Sequence, residues 1–446
     1  MKILIAPDSF KETLSAALVA RALEKGVRSV VPDAVIDCCP MADGGEGTVD
    51  AMVNATGGTF ETAIVSGPLG RPVKARFGLL GQLGGDPTLP PHLRSEGRGV
   101  RSEKGRLKGF RLKAEGTTGF PYLQPSAFSL QPKPRPPSHP PTAVIEMAAA
   151  SGLELVAPDQ RNPLLTTTYG TGELIRAALD AGASEILIGI GGSATVDGGC
   201  GCAQALGVVF RHAQSQATVH YPLSTIHQPL SGGGLMSIVE IDVSGLDPRL
   251  RQVPIRVACD VTNPLTGPQG AAAIFGPQKG ATPEMIAQLD AGLAHLAEII
   301  RRRLGLDVER IPGAGAAGGL GAGLVAFAGA RLEPGLEIVA EAVGLANRLR
   351  GADLCITGEG RLDGSSSMGK TAVGVSRFAS DAGVPVICIP GQAAANAPFD
   401  RFAAVYALVG DDVTLQQAMS QPAEILSRRA AEAVRHFITG DTRTSH

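Results

Sequence analysis

Several things are scarce in this 446-residue chain, and each scarcity removes a class of function. There is no charge imbalance: 40 Lys and Arg stand against 42 Asp and Glu, a formal charge of −2 with a pI near 6.5. Such a chain has no overall basic field for nucleic acid or an anionic membrane, and no polyanionic partner is indicated. Neither a helix-turn-helix signal nor a basic helix is visible. The seven cysteines are scattered, Cys38 beside Cys39 and Cys200 one residue from Cys202. None forms the CxxC pair of a zinc site, and an odd, dispersed set suits reduced thiols in the cytoplasm. The opening MKILIAPDSF has a short apolar run stopped by Pro7 and Asp8, far less than a signal peptide needs, and reads as a first strand.

Long apolar runs are also wanting. The exception, Gly313 to Ala330, is uncharged and carries small residues at Gly315, Gly319 and Gly323, a spacing that also suits helix pairing in lipid. No other segment supports insertion, so it reads as a Gly-rich loop leading into a tightly packed soluble helix, and no membrane association is expected.

What is present is a hydrophobic content of 44%, ample for the cores of two or three domains. Short β-branched runs alternate with stretches of helical period, the pattern of an α/β fold with much parallel sheet. Strands are expected at Ile3–Ala6, Val35–Cys38, Glu185–Ile190, Leu354–Thr357, Pro385–Ile389 and Ala404–Leu408. Helices are expected at about Leu14–Val30, Gly172–Ala181, Pro283–Leu304, Glu337–Leu349, Thr371–Ala382 and Ala423–Thr439. Between Gln82 and Pro141 the pattern stops in a Pro-rich basic stretch (PKPRPPSHPP) without periodicity, read as an expanded flexible loop. The flanking ARFGLL and TAVIEMA are strand-like and would form a hairpin if it were removed. Arg211 to Ser231 reads as a second, shorter loop.

Six Gly-rich or acid-bearing segments follow strands or open helices, where α/β enzymes place ligands. They are APDSFKETLSA, PMADGGEGTVD, GIGGSATVDGG, ACDVTNPLTGPQGAA, PGAGAAGGLG and TGEGRLDGSSSMGKT. Glycines let backbone N–H groups approach an anion and helix N-termini favour negative charge, so such loops together suggest phosphate. The last contains GSSSMGKT from Gly364 to Thr371, a letter-for-letter Walker A match. A true P-loop begins directly at the end of its strand, whereas GEGRLD intervenes here, so the match reads as accidental. No His occurs in these blocks and no GxSxG elbow appears, which disfavours His-dependent hydrolysis.

PDSFK, MADGGEGT, EMAAASGL, TYGTGELI, IGGSAT, DGG, ACDVTNPL, FGPQKGA, GAAGGLGA and TGEGRLD follow one another in order, and together they resemble the signature blocks of the bacterial type I glycerate kinases over most of the chain. The resemblance implies two α/β domains, one Rossmann-like with the second inserted in it, and an active site in the cleft between them. The expected division is 1–65 plus 340–446 for the Rossmann-like domain and 66–339 for the insert, with the Pro-rich loop at 82–141. The implied activity is ATP-dependent phosphorylation of D-glycerate on the 2-hydroxyl, giving 2-phosphoglycerate and ADP, with Mg²⁺ as the metal. Alternatives are transfer to the 3-hydroxyl, another small hydroxy acid as acceptor, or a nucleotide sensor without turnover. Oligomeric state is open, a homodimer being one reading. Two positions depart from the family pattern: Val196 stands where Asn is common, and GSSS after Asp363 replaces an Asp/Gln/Thr-type run.

Phosphoryl transfer needs cations and metal on the triphosphate and a group to position or deprotonate the attacking hydroxyl. Lys11, Arg361 and Lys370 are the candidate cations, Arg361 and Lys370 at the chemistry. Asp43 and Asp197 each lie against glycines in a strand-to-helix turn, so either can be the proton acceptor, helix N-capping being the alternative for both. Asp8, Glu46 and Asp363 are acidic candidates for orienting ligands, and Asp260 and Glu359 for Mg²⁺. Ser9, the backbone of Gly44, Gly45, Gly191 and Gly192, and the side chains of Ser193, Asn263 and Gln278 complete the expected substrate and phosphate contacts.

Overall fold

A computed structural model describes residues 1–11, 13–81, 140–213, 223–225, 228–364 and 370–440. The Pro-rich stretch from 82 to 139, much of the shorter expected loop and the SSSMG of the Walker-like motif lie outside the described residues.

One sheet has five parallel strands in the order Ala404–Val405, Val386–Cys388, Leu354–Thr357, Lys2–Ile5, Val35–Cys38. Its central strands are apolar on both faces, as a helix-covered parallel sheet requires. Ile3, Ile5, Leu354 and Ile356 point to one side, where Ala16–Arg28 and Pro422–Thr439 pack. Leu4 and Cys355 point to the other, against Thr48–Thr56, Gly335–Ala342 and Thr371–Asp381. The helix expected over Glu337–Leu349 is two helices, because Gly344 adopts φ 66° and ends the first before Leu345–Leu349 begins.

The second sheet has six strands in the order Arg331–Glu333, Ile255–Ala258, Glu185–Gly189, Thr142–Glu146, Pro72–Leu79, Thr59–Ser66. The first four are parallel, and the last two form an antiparallel hairpin that joins the sheet along Thr142–Glu146. The pairing expected across the Pro-rich stretch is therefore present, with Leu79 opposite Ala143. The boundary expected at residue 65 needs correction on this point: Thr59–Ser66 pairs along its whole length with Pro72–Leu79 and so lies in the second sheet. The sheets share one apolar cluster, since Val49, Met52 and Val53 of Thr48–Thr56 pack with Leu4 of the first and Val144 and Leu187 of the second.

The apolar stretch near Gly313 forms the helix Ala316–Ala328, almost wholly buried within the protein. Ala317, Gly318 and Gly319 are in left-handed backbone, and a Cβ on Gly318 would lie 1.9 Å from the carbonyl oxygen of Thr195. The small residues thus serve close approach to a neighbouring loop. Among the described residues no helix is long and apolar enough to cross a membrane.

Candidate active site

In the first sheet the chain leaves the strand Lys2–Ile5 toward Val35–Cys38 on one side and later adds Leu354–Thr357 on the other. That reversal of strand order splays the loops at the carboxyl ends apart, and ligands of open α/β sheets bind there. The two loops at this point are 6–11 and 358–364. They are tied together where Asp8 N–H donates to the Gly358 carbonyl at 2.8 Å. Asp8 accepts from the Ser9 N–H at 2.6 Å and from the Thr371 hydroxyl at 2.5 Å, at the first turn of Thr371–Asp381. Burial is the main reason its pKa is pushed up to about 6; the bonds from Thr371 and Ser9 oppose the shift, and Asp43 adds repulsion.

The loop after Val35–Cys38 carries Asp43 to Gly47 into contact with the second sheet. Asp43 Oδ1 accepts from Gly45 N–H at 3.0 Å. Gly44 and Gly45 meet the Gly189–Gly191 turn at the end of Glu185–Gly189: a Cβ on Gly189 would lie 2.4 Å from Gly44 O, and one on Gly191 would lie 3.3 Å from Gly45 Cα. Backbone here approaches backbone, which is why these motifs are written in glycine. At the end of Ile255–Ala258, Asp260 accepts from the Gly335 N–H at 2.8 Å and so caps Gly335–Ala342. Burial raises its pKa, Asp43 again contributing repulsion. Asp43 thus acts electrostatically on both Asp8 and Asp260, which follow strands of the two different sheets.

A cavity of about 650 Å³ opens beside these loops, lined by Asp8, Ser9, Lys11, Glu46, Arg76 and Glu146 among others. Two of these were not singled out as site residues from sequence. Arg76 lies over the Phe60 ring at 4.3 Å and pairs with Asp50; in sequence it is only the Arg of a strand-like run. Glu146 ends Thr142–Glu146 and accepts from the Val49 N–H at 2.8 Å, at the start of Thr48–Thr56. The Glu of EMAAASGL was the available signal, read only as part of a block. A larger hollow of about 880 Å³ lies along Glu185, Arg256 and Glu333, but none of the expected site residues lines it.

Several expected placements need correction. Asp197 was expected to present a carboxylate to the cleft, yet it is fully buried. Its Oδ2 accepts from the N–H and hydroxyl of Thr168, both at 2.8 Å, and from Gly201 N–H at 3.3 Å, while Oδ1 accepts from Gly199 N–H at 3.1 Å. These bonds are those of the capping alternative, with both carboxylate oxygens occupied by donors of the protein. Val196 is likewise in the core, packed with Leu289 and Leu293, so its departure from the family pattern removes no polar ligand. Asn263 donates to the Gln269 carbonyl at 2.8 Å, within its own loop. Gln278 is exposed, whereas its neighbour Lys279, not singled out from sequence, is buried.

Asp363 gathers two expected cations, with Arg361 Nε at 3.4 Å and Lys370 Nζ at 3.3 Å. Lys370 is the N-cap residue of Thr371–Asp381, so its charge stands where that helix also favours an anion. Glu359 is buried in the loop beside Asp8. Gly364 is outside the left-handed region, and a second short strand, Arg361–Leu362, separates it from Leu354–Thr357; neither suits a P-loop.

Among the described residues no three His, Cys, Asp or Glu side chains are grouped to hold a metal on their own. Asp43 repels both Asp8 and Asp260, and carboxylates so placed fit a divalent ion that takes one or two of them and completes its shell with phosphate oxygens and water. All seven cysteines are free, and burial pushes the thiols of Cys200, Cys202, Cys355 and Cys388 up, which leaves them unreactive.

Comparison with known proteins agrees with this geometry. The model of the Glycerate kinase family matches residues 3–86 and 112–438, leaving out a segment inside the Pro-rich stretch. A glycerate kinase of Bacillus subtilis (strain 168) is 45% identical over 97% of this chain and 96% of its own. A glycerate 2-kinase of Escherichia coli (strain K12) is 46% identical over 88% of this chain and 85% of its own. A crystal structure described as a glycerate kinase 2 from Salmonella typhimurium LT2 covers 99% of this chain and 100% of its own, with 44% identity and a TM-score of 0.77.

Proposed function

The chain belongs to the glycerate kinase family, and from that premise we propose that its cleft transfers the terminal phosphoryl group of ATP to the 2-hydroxyl of D-glycerate, giving 2-phosphoglycerate and ADP. The observation that supports this reading is that Asp8, which lines a cavity with Lys11 and Arg76, is within electrostatic reach of Asp43, as is Asp260 from a strand end of the other sheet. Carboxylates suit a hydroxyl and a metal–phosphate, and cations suit the glycerate carboxylate.

Asp43 is the proton acceptor for the attacking hydroxyl. It acts electrostatically on both Asp8 and Asp260, and the bond from Gly45 N–H fixes its orientation. Lys11 and Arg76 orient glycerate through its carboxylate. Lys370 and Arg361, held by Asp363, neutralise the phosphoryl oxygens. Asp8 and Asp260 would hold Mg²⁺, which supplies charge neutralisation at the phosphates when bound. Ser9 and the backbone of Gly44, Gly45, Gly191 and Gly192 shape the walls. Two domains divide this work: a Rossmann-like one built on the five-stranded sheet, and an insert from about residue 58 to about 334 built on the other.

The test is a coupled ADP-release assay over a panel of hydroxy acids with phosphorus NMR of the product. ADP release that depends on D-glycerate, with a 2-phospho product, is expected. Equal release without glycerate would remove the kinase assignment, and a 3-phospho product would reject the regiochemistry alone.

A further inference from the structure

Lys279 is the last residue of the short turn Pro277–Lys279 and is 1% exposed. Its ammonium donates to Ser193 Oγ and to the Thr195 carbonyl, both at 2.7 Å. Among the described residues no carboxylate lies within ion-pair distance. Asp197 acts on it only through its field, and desolvation holds the lysine pKa down at about 7. A buried cation without a direct counter-ion is costly, and an apolar side chain of the same length would fill the space more cheaply. Packing alone does not account for it.

The chemistry of the bond to Ser193 offers a reason. In its protonated form Lys279 has donors and no acceptor, so Ser193 Oγ is then the acceptor and the hydroxyl hydrogen of Ser193 is left to point elsewhere, and an anion at the turn would favour that protonated form. Ser193 is 7% exposed and follows the exposed Gly191 and Gly192. Its backbone is pinned, with Gly152 bridged to Ser193 and Leu153 N–H donating to Gly192 O at 2.8 Å. The same turn meets the Asp43–Gly45 loop through Gly191. A serine with its acceptor side occupied, over a buried positive charge, is arranged to donate to an anion.

We propose that Lys279 is a positioning residue that makes Ser193 an obligate hydrogen-bond donor and places a buried charge beneath the Gly191–Ser193 turn, which receives an anionic oxygen of substrate, carboxylate or phosphoryl. The proposal rests on the glycerate kinase reading for the identity of that anion.

Lys279→Met, Ser193→Ala and the double variant test it, with KM measured separately for glycerate and ATP alongside kcat and thermal unfolding. Lys279→Met is expected to raise one of the two KM values by about tenfold or more, the ratio that loss of one charge-assisted bond produces, with kcat and the other KM little changed. A rise for glycerate identifies the carboxylate; a rise for ATP identifies a phosphate. Ser193→Ala should raise the same KM, and the double variant should be no worse than the worse single one, since both act through one hydroxyl. An equal rise in both KM values, additive effects, or a loss of stability alone would overturn the proposal. If Lys279→Met does not fold, Ser193→Ala decides: wild-type KM values for both substrates reject the role. If the wild-type protein releases no ADP with glycerate, the kinase reading has failed independently. Calorimetric titration with inorganic pyrophosphate then decides: weaker binding by Lys279→Met supports the anion site, and equal binding rejects it.

Discussion

Asp8 and Thr371, 363 positions apart in sequence, share a 2.5 Å hydrogen bond that ties the first strand's loop to the helix Thr371–Asp381. Because burial raises the Asp8 pKa from 3.8 to about 6, the folded protein holds that proton to higher pH than the unfolded chain does. Its contribution to stability is therefore best below pH 3.8 and declines as pH rises to about 6. Asp8→Asn should flatten this decline, with a gain at pH 7 of up to about 3 kcal/mol, since a tenfold change in proton affinity is worth about 1.4 kcal/mol. Urea unfolding at pH 4.5 and pH 7 measures it. The same variant should lose activity about tenfold or more, as expected where stability is given up for function.

The roles of Asp43 and Asp197 separate in one pair of variants. Asp43→Asn should lower kcat by about 100-fold with little change in Tm, through loss of the proton acceptor. Asp197→Ala removes a buried acceptor of four hydrogen bonds and should cost about 2–4 kcal/mol of stability. Its folded fraction should retain kcat within about tenfold of wild type. Steady-state kinetics beside thermal melts check both; a stable, inactive Asp197→Ala would reverse the assignment.

Gly364→Ser should be mild. The backbone there does not need glycine, and the close approach of a new Cβ is to the end of the Asn396 side chain, whose Nδ2 would lie 2.6 Å away and can shift. The KM for ATP should stay within about threefold, the size of a small surface perturbation. Lys370→Ala should instead lower kcat by about 100-fold through lost charge neutralisation. Nucleotide binding abolished by Gly364→Ser would revive the P-loop reading.

Residues 82–139 should be dispensable for turnover. The flanking strands are already paired, with Leu79 opposite Ala143 and Leu80 N–H donating to Thr142 O at 2.9 Å, so a short turn can join Gly81 to Pro140. Loop length changes closure entropy by only about 0.6 kcal/mol per doubling. Soluble expression and kcat of the shortened protein report the outcome, and collapse of either would show that the segment contributes contacts.

Activity should require Mg²⁺ and be restored after chelation when the metal is returned. Mg²⁺ should also raise the Tm by relieving repulsion between Asp8 and Asp43. Asp260→Asn should reduce that Tm shift, which a thermal titration with and without the metal detects.

Local signals wrote much of this molecule legibly. The helix Pro283–Leu304 was readable to the residue, because Thr282 caps it, Pro283 fits its first turn and Gly305 ends it. The strands Val35–Cys38 and Leu354–Thr357 were equally plain as β-branched runs, and the glycine motifs marked which strand ends form the crevice. What sequence could not decide was which side chains enter it. Asp43 and Asp197 look alike in sequence, each an acid before paired glycines, yet one acts electrostatically on two other carboxylates and the other is bonded by Thr168 in the core. Lys279 and Gln278 are adjacent, but only the turn at Pro277 decides that the lysine is buried under Ser193 and the glutamine left in solvent. Motif and periodicity depend on neighbours along the chain and survive in a one-dimensional reading. Burial and pairing depend on contacts across hundreds of residues, such as Asp8 with Thr371, and exist only once both sheets have assembled.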